Sequence, residues 1–274
     1  MDIQGNQEQQ PLFQPFFAQA EKGYEVLPDL FVLRTMIVNV CFVGERGSDH
    51  WVLIDAGVGP AAESILQTAE ERFRGIPPKA IILTHGHFDH VGALSELLEH
   101  WDVPIFAQEE ELPFLTGKED YPPADPTVGG GLMSLISPLY PNEAINLENR
   151  IHALPIDHKV PYMDGWRWVH TPGHTPGHIS LFRHEDSALI AGDAFITVKQ
   201  ESALAVITQE KEIHGPPAYF TTVWKAAWHS VRILEALKPA YAITGHGFAI
   251  EGEELTKGLE NLSCNFKEIA IPNN

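Results

Sequence analysis

The sequence predicts an α/β fold of four layers, helix on sheet on sheet on helix, an αββα sandwich. Two observations carry this: β-type runs followed by a helical pattern in the first half, and the same plan repeated in the second. A third sets the scale, because 274 residues, 44% of them hydrophobic and 20% charged, hold enough apolar material for one large core.

Residues 1–22 are rich in Gln and Phe without periodicity and read as an N-terminal arm, packed on the domain or on a partner subunit, which admits a homodimer. Residues 23–274 read as a single domain. Leu30 to Leu33, Ile37 to Val43 and Trp51 to Ile54 are β-type runs punctuated by Gly44 and Gly47, a meander. Ala61 to Phe73 then carries Ile65, Leu66, Ala69 and Phe73 near helical spacing. Ala80 to Leu83 is a buried strand, and Val91, Leu94, Leu97, Leu98 and Trp101 mark one amphipathic helix after it. Val103 to Ala107 is a strand. Residues 108–150 mix acids, prolines, Gly129-Gly130-Gly131 and apolar side chains, as pocket walls do. The second half offers strands at Trp166 to His170, Ile179 to Phe182, Ala188 to Ala191 and Ala240 to Thr244, with a helical pattern over Thr222 to Leu237.

Composition removes several function classes. The formal charge of -19 would repel phosphate backbones and anionic lipid, so neither nucleic acid nor a membrane is an expected partner. No run is long and apolar enough to span a bilayer, and MDIQGNQEQQ lacks the basic and apolar regions of a secretory signal, so a cytoplasmic protein acting on a small molecule is expected. Cys41 and Cys264 are too few for a disulfide framework.

The fourteen histidines are the oddity, and their placement is informative. In Thr84-His85-Gly86-His87-Phe88-Asp89-His90, between a buried strand and a helix, alternation would turn residues 85, 87 and 89 to one side and His90 elsewhere, with Gly86 easing a tight turn. Such a loop can seed two cation sites. Three downstream motifs have weaker individual signals: Gly173-His174-Thr175-Pro176-Gly177-His178, Gly192-Asp193 at a strand end, and Gly245-His246-Gly247 after the last strand.

Together these motifs resemble the metallo-β-lactamase superfamily over about residues 25 to 262. The resemblance implies that fold and a metal set of His85, His87, Asp89, His90, His174, Asp193 and His246. In it, His174 joins His85 and His87, Asp193 bridges, and His246 joins Asp89 and His90. Asp55, Thr84 and His178 would support these ligands by hydrogen bonds. Nitrogen and carboxylate donors without thiolate suit two divalent ions, zinc foremost, with iron or manganese also accepted. Two such ions can share a water and lower its pKa to about 7, a hydroxide for attack on a carbonyl, with Asp89 relaying a proton.

The expected activity is hydrolysis of an ester, thioester or lactone, of the glyoxalase II-like or lactonase-like branch. Only 28 residues follow His246, short of the glutathione-binding region of true glyoxalase II, and Ile196 stands where lactonases place a tyrosine. The alternatives are a mononuclear iron sulfur dioxygenase-like oxidoreductase and a β-lactam or phosphodiester hydrolase. Met133, Leu135, Ile136, Tyr140, Phe195, Ile196, Tyr219 and Phe220 are candidate pocket walls, His158 and His214 further candidates, and core filling is their ordinary alternative.

Overall fold

A computed structural model describes residues 22–128, 135, 137–198 and 212–272. The first sheet lays seven strands side by side in chain order: β1 (Lys22–Leu27), β2 (Leu30–Thr35), β3 (Val38–Val43), β4 (Val52–Ile54), β5 (Ile81–Ile82), β6 (Ile105–Ala107) and β7 (Ile151–Ala153). The first four form an antiparallel meander, and pairing becomes parallel from β4 to β5 onward. The change follows from the connections, since a parallel neighbour needs a crossover and α1 (Ala62–Phe73) supplies it. The second sheet runs in the order β12 (Ile250–Glu251), β11 (Tyr241–Thr244), β10 (Ala188–Gly192), β9 (Ile179–Arg183) and β8 (Trp166–His170). Its β10 and β11 are parallel, with α5 (Trp224–Ala236) in the crossover between them.

Strand alternation sorts side chains into layers. In β3, Val38, Val40 and Phe42 face Ile65, Ala69 and Phe73 of α1, with Leu94 and Leu97 of α3 (Leu94–His100) in the same cluster. Cys41 and Val43 face the other way, into an inter-sheet core with Trp166, Ile179, Leu181, Ile190 and Ile243. Behind the second sheet, Leu189, Ala191 and Ala242 pack on Ala227, Val231 and Leu234 of α5 and on Leu255, Leu259 and Leu262 of α6 (Gly252–Cys264). These are the four layers of the metallo-β-lactamase fold.

Several details differ from what the sequence predicts. The helix expected over Val91 to Trp101 is two, α2 (Phe88–Val91) and α3. Gly92 donates its N–H to Gly57 O at 2.9 Å instead of continuing the helical ladder. The helix α6, absent from the sequence-based expectations, covers the far face of the second sheet. The N-terminal arm lies outside the described residues, except for Lys22 at the start of β1. Among the described residues no helix is long and apolar enough to cross a membrane.

Candidate metal centre

The loop from Thr84 to His87 leaves the end of β5, and α2 begins at Phe88 with His87 as its extended N-cap residue. Alternation therefore stops at His87, and Asp89 and His90 are set by the first helical turn. His85 and His87 group with His174, Asp89 and His90 group with His246, and His85 and His90 meet at Asp193. His174 follows β8, Asp193 follows β10 and His246 follows β11, so the second sheet supplies the remaining donors from its strand ends.

The seven residues the sequence singled out as ligands converge. Three overlapping clusters have donor atoms within 4.8 Å of one another: His85, His87 and His174; His85, His90 and Asp193; and Asp89, His90 and His246. His87 Nδ1 lies 3.0 Å from His85 Nε2 and 2.9 Å from His174 Nε2. Asp193 Oδ2 sits between the two halves, 3.4 Å from His174 Nε2, 3.7 Å from His90 Nε2 and 3.2 Å from His246 Nε2. Gly245 permits this, because a Cβ there would stand 2.0 Å from Asp193 Oδ1.

Hydrogen bonds on the outer ring atoms fix which nitrogens face inward. Thr84 Oγ1 donates to Asp55 Oδ2 at 2.8 Å, so it accepts from His85 Nδ1 at 3.1 Å and leaves His85 Nε2 a bare acceptor. Thr221 Oγ1 donates to Pro217 O at 2.8 Å and does the same for His174 Nδ1 at 3.2 Å. His90 Nδ1 donates to Asp55 Oδ2 at 2.9 Å, and His246 Nδ1 to Ile37 O at 2.7 Å. In the neutral rings, four Nε2 lone pairs thus aim at one cleft. The single Nδ1 proton available to His87 can satisfy only one of its two neighbours.

Lone pairs at such distances repel unless a cation lies among them. Within the cleft, the buried atoms His90 Nε2 and Asp193 Oδ1 have no hydrogen-bond partner among the described residues, an omission that costs about 1–3 kcal/mol per group when nothing compensates. The residues present therefore fit divalent metal.

The electrostatics divide the cluster. Burial, with the neighbouring charge of His90, pushes His87 down to about 3. Burial and adjacent imidazoles hold His85 and His174 well below the usual range as well, so all three rings favour the neutral form that a metal requires. At His90 burial opposes the charged ring, but Asp193, Asp55 and Asp89 outweigh it and raise the pKa. His246 is raised in the same way by Asp193 and Asp89. Burial works against an ionised Asp193, yet His246 and His90 hold it well below the carboxylate range.

Asp55, Thr84 and His178 bond to the candidate ligands or their loops from behind. Asp55 adopts φ 60° and accepts from Thr84 N, Thr84 Oγ1 and His90 Nδ1. His178 accepts the Asp193 backbone N–H at 2.9 Å and stands outside the three donor clusters. Gly86 is needed for a reason other than its φ, because a Cβ there would lie 2.6 Å from the Tyr121 hydroxyl.

The expected pocket walls divide. Phe220 lies 4.6 Å, ring to ring, from His87 and packs with Tyr219, Tyr140 and Phe88. Phe195 instead fills the core under α5 and α6. Ile196 is buried where its backbone pairs with His214, so neither residue presents a free wall. Leu135 is 69% exposed. Met133 and Ile136 lie outside the described residues. His158 turns away from the cleft, its Nδ1 bonded to Trp168 O.

Residues the sequence did not single out complete the surroundings. Thr221 orients His174, and Asn39 Nδ2 donates to Thr244 O and Gly247 O at 2.8 and 2.7 Å on either side of His246. Glu111 and Tyr121 brace Gly86.

This fold and donor set define a class of metalloprotein, and comparison with known proteins agrees. The family model described as the metallo-beta-lactamase superfamily matches residues 33–246, and the chain belongs to that superfamily. It is 47% identical over 249 residues to the probable metallo-hydrolase YflN of Bacillus subtilis, covering 90% of this chain and 94% of that protein. It is 35% identical over 137 residues to the hydroxyacylglutathione hydrolase GloC of Haemophilus influenzae, covering 49% of this chain and 57% of that one. The solved structure of a beta-lactamase domain protein from Burkholderia ambifaria shares the fold, with a TM-score of 0.62, 20% identity, and coverage of 91% of this chain and 77% of that one. The chain is thus a member of a metal-dependent hydrolase family.

Proposed function

We propose that this protein is a binuclear metal-dependent hydrolase of ester-type bonds, acting on a small ester, thioester or lactone. The observation that carries the reading is the position of Asp193 Oδ2, within 3.2 to 3.7 Å of inward-facing nitrogens from both halves of the cluster. His85, His87 and His174 would hold one ion, Asp89, His90 and His246 the other, with Asp193 shared between them. Nitrogen and carboxylate donors suit zinc, while iron and manganese fit the same set. When bound, such a pair supplies Lewis acidity and makes a water acidic enough to attack a carbonyl near neutral pH.

The protein's own groups do the rest. Asp89 is the more open of the two acids, with its side chain 9% exposed against 2% for Asp193, and is placed to take a proton and pass it to the leaving group. Phe88, Tyr140, Tyr219 and Phe220 form an aromatic cluster beside His87, suited to an apolar acyl or alcohol part and to excluding water from it. The charge of -19 disfavours polyanionic substrates. GloC, named for cleaving a thioester, makes thioesters the first substrates to try.

Metal analysis followed by assays on thioesters, lactones, aryl esters and phosphodiesters tests the reading. Two ions per chain and turnover of a carbonyl ester are expected. One iron per chain with oxygen uptake would instead establish an oxidoreductase. His87→Ala and Asp193→Ala should lose metal and activity together while the chain stays folded by circular dichroism, and full turnover by a metal-free double variant would sink the mechanism.

A further inference from the structure

Glu111, just before α4 (Leu112–Leu115) in the segment between β6 and β7, is 0% exposed and is not one of the seven candidate ligands. Its two carboxylate oxygens nevertheless meet both loops that carry the tri-histidine group. Oε2 accepts from Gly86 N at 3.1 Å and from the Tyr121 hydroxyl. Oε1 accepts from Thr175 Oγ1 and from Gly177 N at 2.9 Å. Gly86 lies between His85 and His87, and Thr175 directly follows His174. Tyr121 closes the arrangement: its hydroxyl also lies 3.0 Å from Gly86 N, and its ring is 4.6 Å from that of His87.

Four donors on one buried carboxylate are what an anion needs to be held without water. A single backbone bond, Ile179 N to Thr84 O at 3.0 Å, joins the two loops at their base, and Glu111 joins them beyond it, at Gly86 on one side and at Thr175 and Gly177 on the other. His87 Nδ1 and His174 Nε2, one from each loop, stand 2.9 Å apart. The other group, Asp89, His90 and His246, is braced by Asp55 and Ile37 O and has no bond to Glu111.

Resting on the metallo-hydrolase reading above, we infer that Glu111 is a positioning residue that clamps the His85–His87 loop to the His174 loop and so sets the affinity of the tri-histidine site alone, with Tyr121 as its auxiliary. Glu111→Gln keeps the size but turns an NH2 group toward one pair of donors, so that one of the two loops loses its acceptors.

The test is titration of the chelator-stripped full-length protein with Co2+, followed by its visible ligand-field spectrum and by competition with a chromophoric chelator, alongside thermal melting without metal. The wild type should take up two equivalents. In Glu111→Gln one equivalent should weaken by about 10–100-fold, as for other groups that orient ligands, with its spectrum altered and the other equivalent unchanged. Tyr121→Phe, which removes a single hydroxyl and guards against a Gln variant that fails to fold, should shift the same equivalent in the same direction by less. Two equivalents with wild-type affinity and spectrum in both variants would overturn the clamp, as would equal weakening of both equivalents in a folded variant. A wild-type chain that takes up no metal would overturn the metallo-hydrolase reading itself, and the clamp with it.

Discussion

A ring nitrogen becomes a ligand or an ordinary hydrogen-bonding atom according to what its opposite nitrogen touches. At His174 that partner is Thr221, whose own proton goes to Pro217 O, so the hydroxyl can only accept from Nδ1. Thr221→Val keeps the shape and removes the acceptor, which frees the ring to change tautomer. Metal affinity measured by chelator competition is expected to fall about 10–100-fold, with little change in melting temperature of the metal-free protein. Thr221 carried no signal in the sequence, where it is one threonine of a Thr-Thr pair before a helix. Glu111 was hidden differently: it ends a run of three glutamates that reads as solvated surface, and only the 3-10 turn over Glu109–Glu111 rotates the third one inward. His85, His87, Asp89 and His90 were legible because side chains suited to metal crowd into one short loop, where they would repel or go unpaired without a cation to hold.

Among the elements, α1 shows how far periodicity reaches. Its apolar spacing identifies the helix and the face it buries, since Ile65, Ala69 and Phe73 all lie in the core. The spacing does not reveal that Phe73 stacks on Trp51 at 4.3 Å with an interplanar angle of 4°, or that Phe42 stacks on the same indole. Phe73→Ala removes a ring that has no solvent exposure, and should cost about 3–5 kcal/mol in denaturant unfolding while leaving metal stoichiometry intact. The adjoining helix shows the limit: the pattern from Val91 to Trp101 is continuous, but the Gly92 N–H finds Gly57 O, a partner distant in the chain, and the helix divides. That division lets α2 stand as a separate short turn, the one that presents Asp89 and His90. Phe195 illustrates the same boundary from the other side, because its place after Asp193 suggested a pocket wall while the packing of α5 and α6 draws it into the core.

Across the whole molecule, the centre exists only where the two sheets meet, with four donors from the first half of the chain and three from the second. One tie between the halves is Arg183 at the end of β9, which donates to Asp186 at 3.0 and 2.6 Å and to both oxygens of Asp29 in the turn between β1 and β2. Burial alone would raise Asp186, but the Arg183 hydrogen bonds outweigh it and hold its carboxyl below the usual range. A depressed carboxylate contributes its full stabilisation above its unfolded pKa of about 4 and loses it as the pH falls through the lower folded value. The wild type should therefore lose melting temperature on acidification below about pH 4 more steeply than Arg183→Ala does. At neutral pH the variant should be less stable by about 1 kcal/mol, since both carboxylates are partly solvated. Parallel acid limbs for the two proteins would show that this tie does not set the response.

The sequence by itself determined the layering and which side chains are candidates to hold a metal, because strand and helix periods are local properties and a ligand must be a chemically suited side chain wherever it sits. Which donors share a cluster, which tautomer each ring adopts and which carboxylate spans the loops were decided only by the tertiary structure. Those depend on atoms within about 3 Å that are far apart along the chain, and no local pattern encodes such a distance.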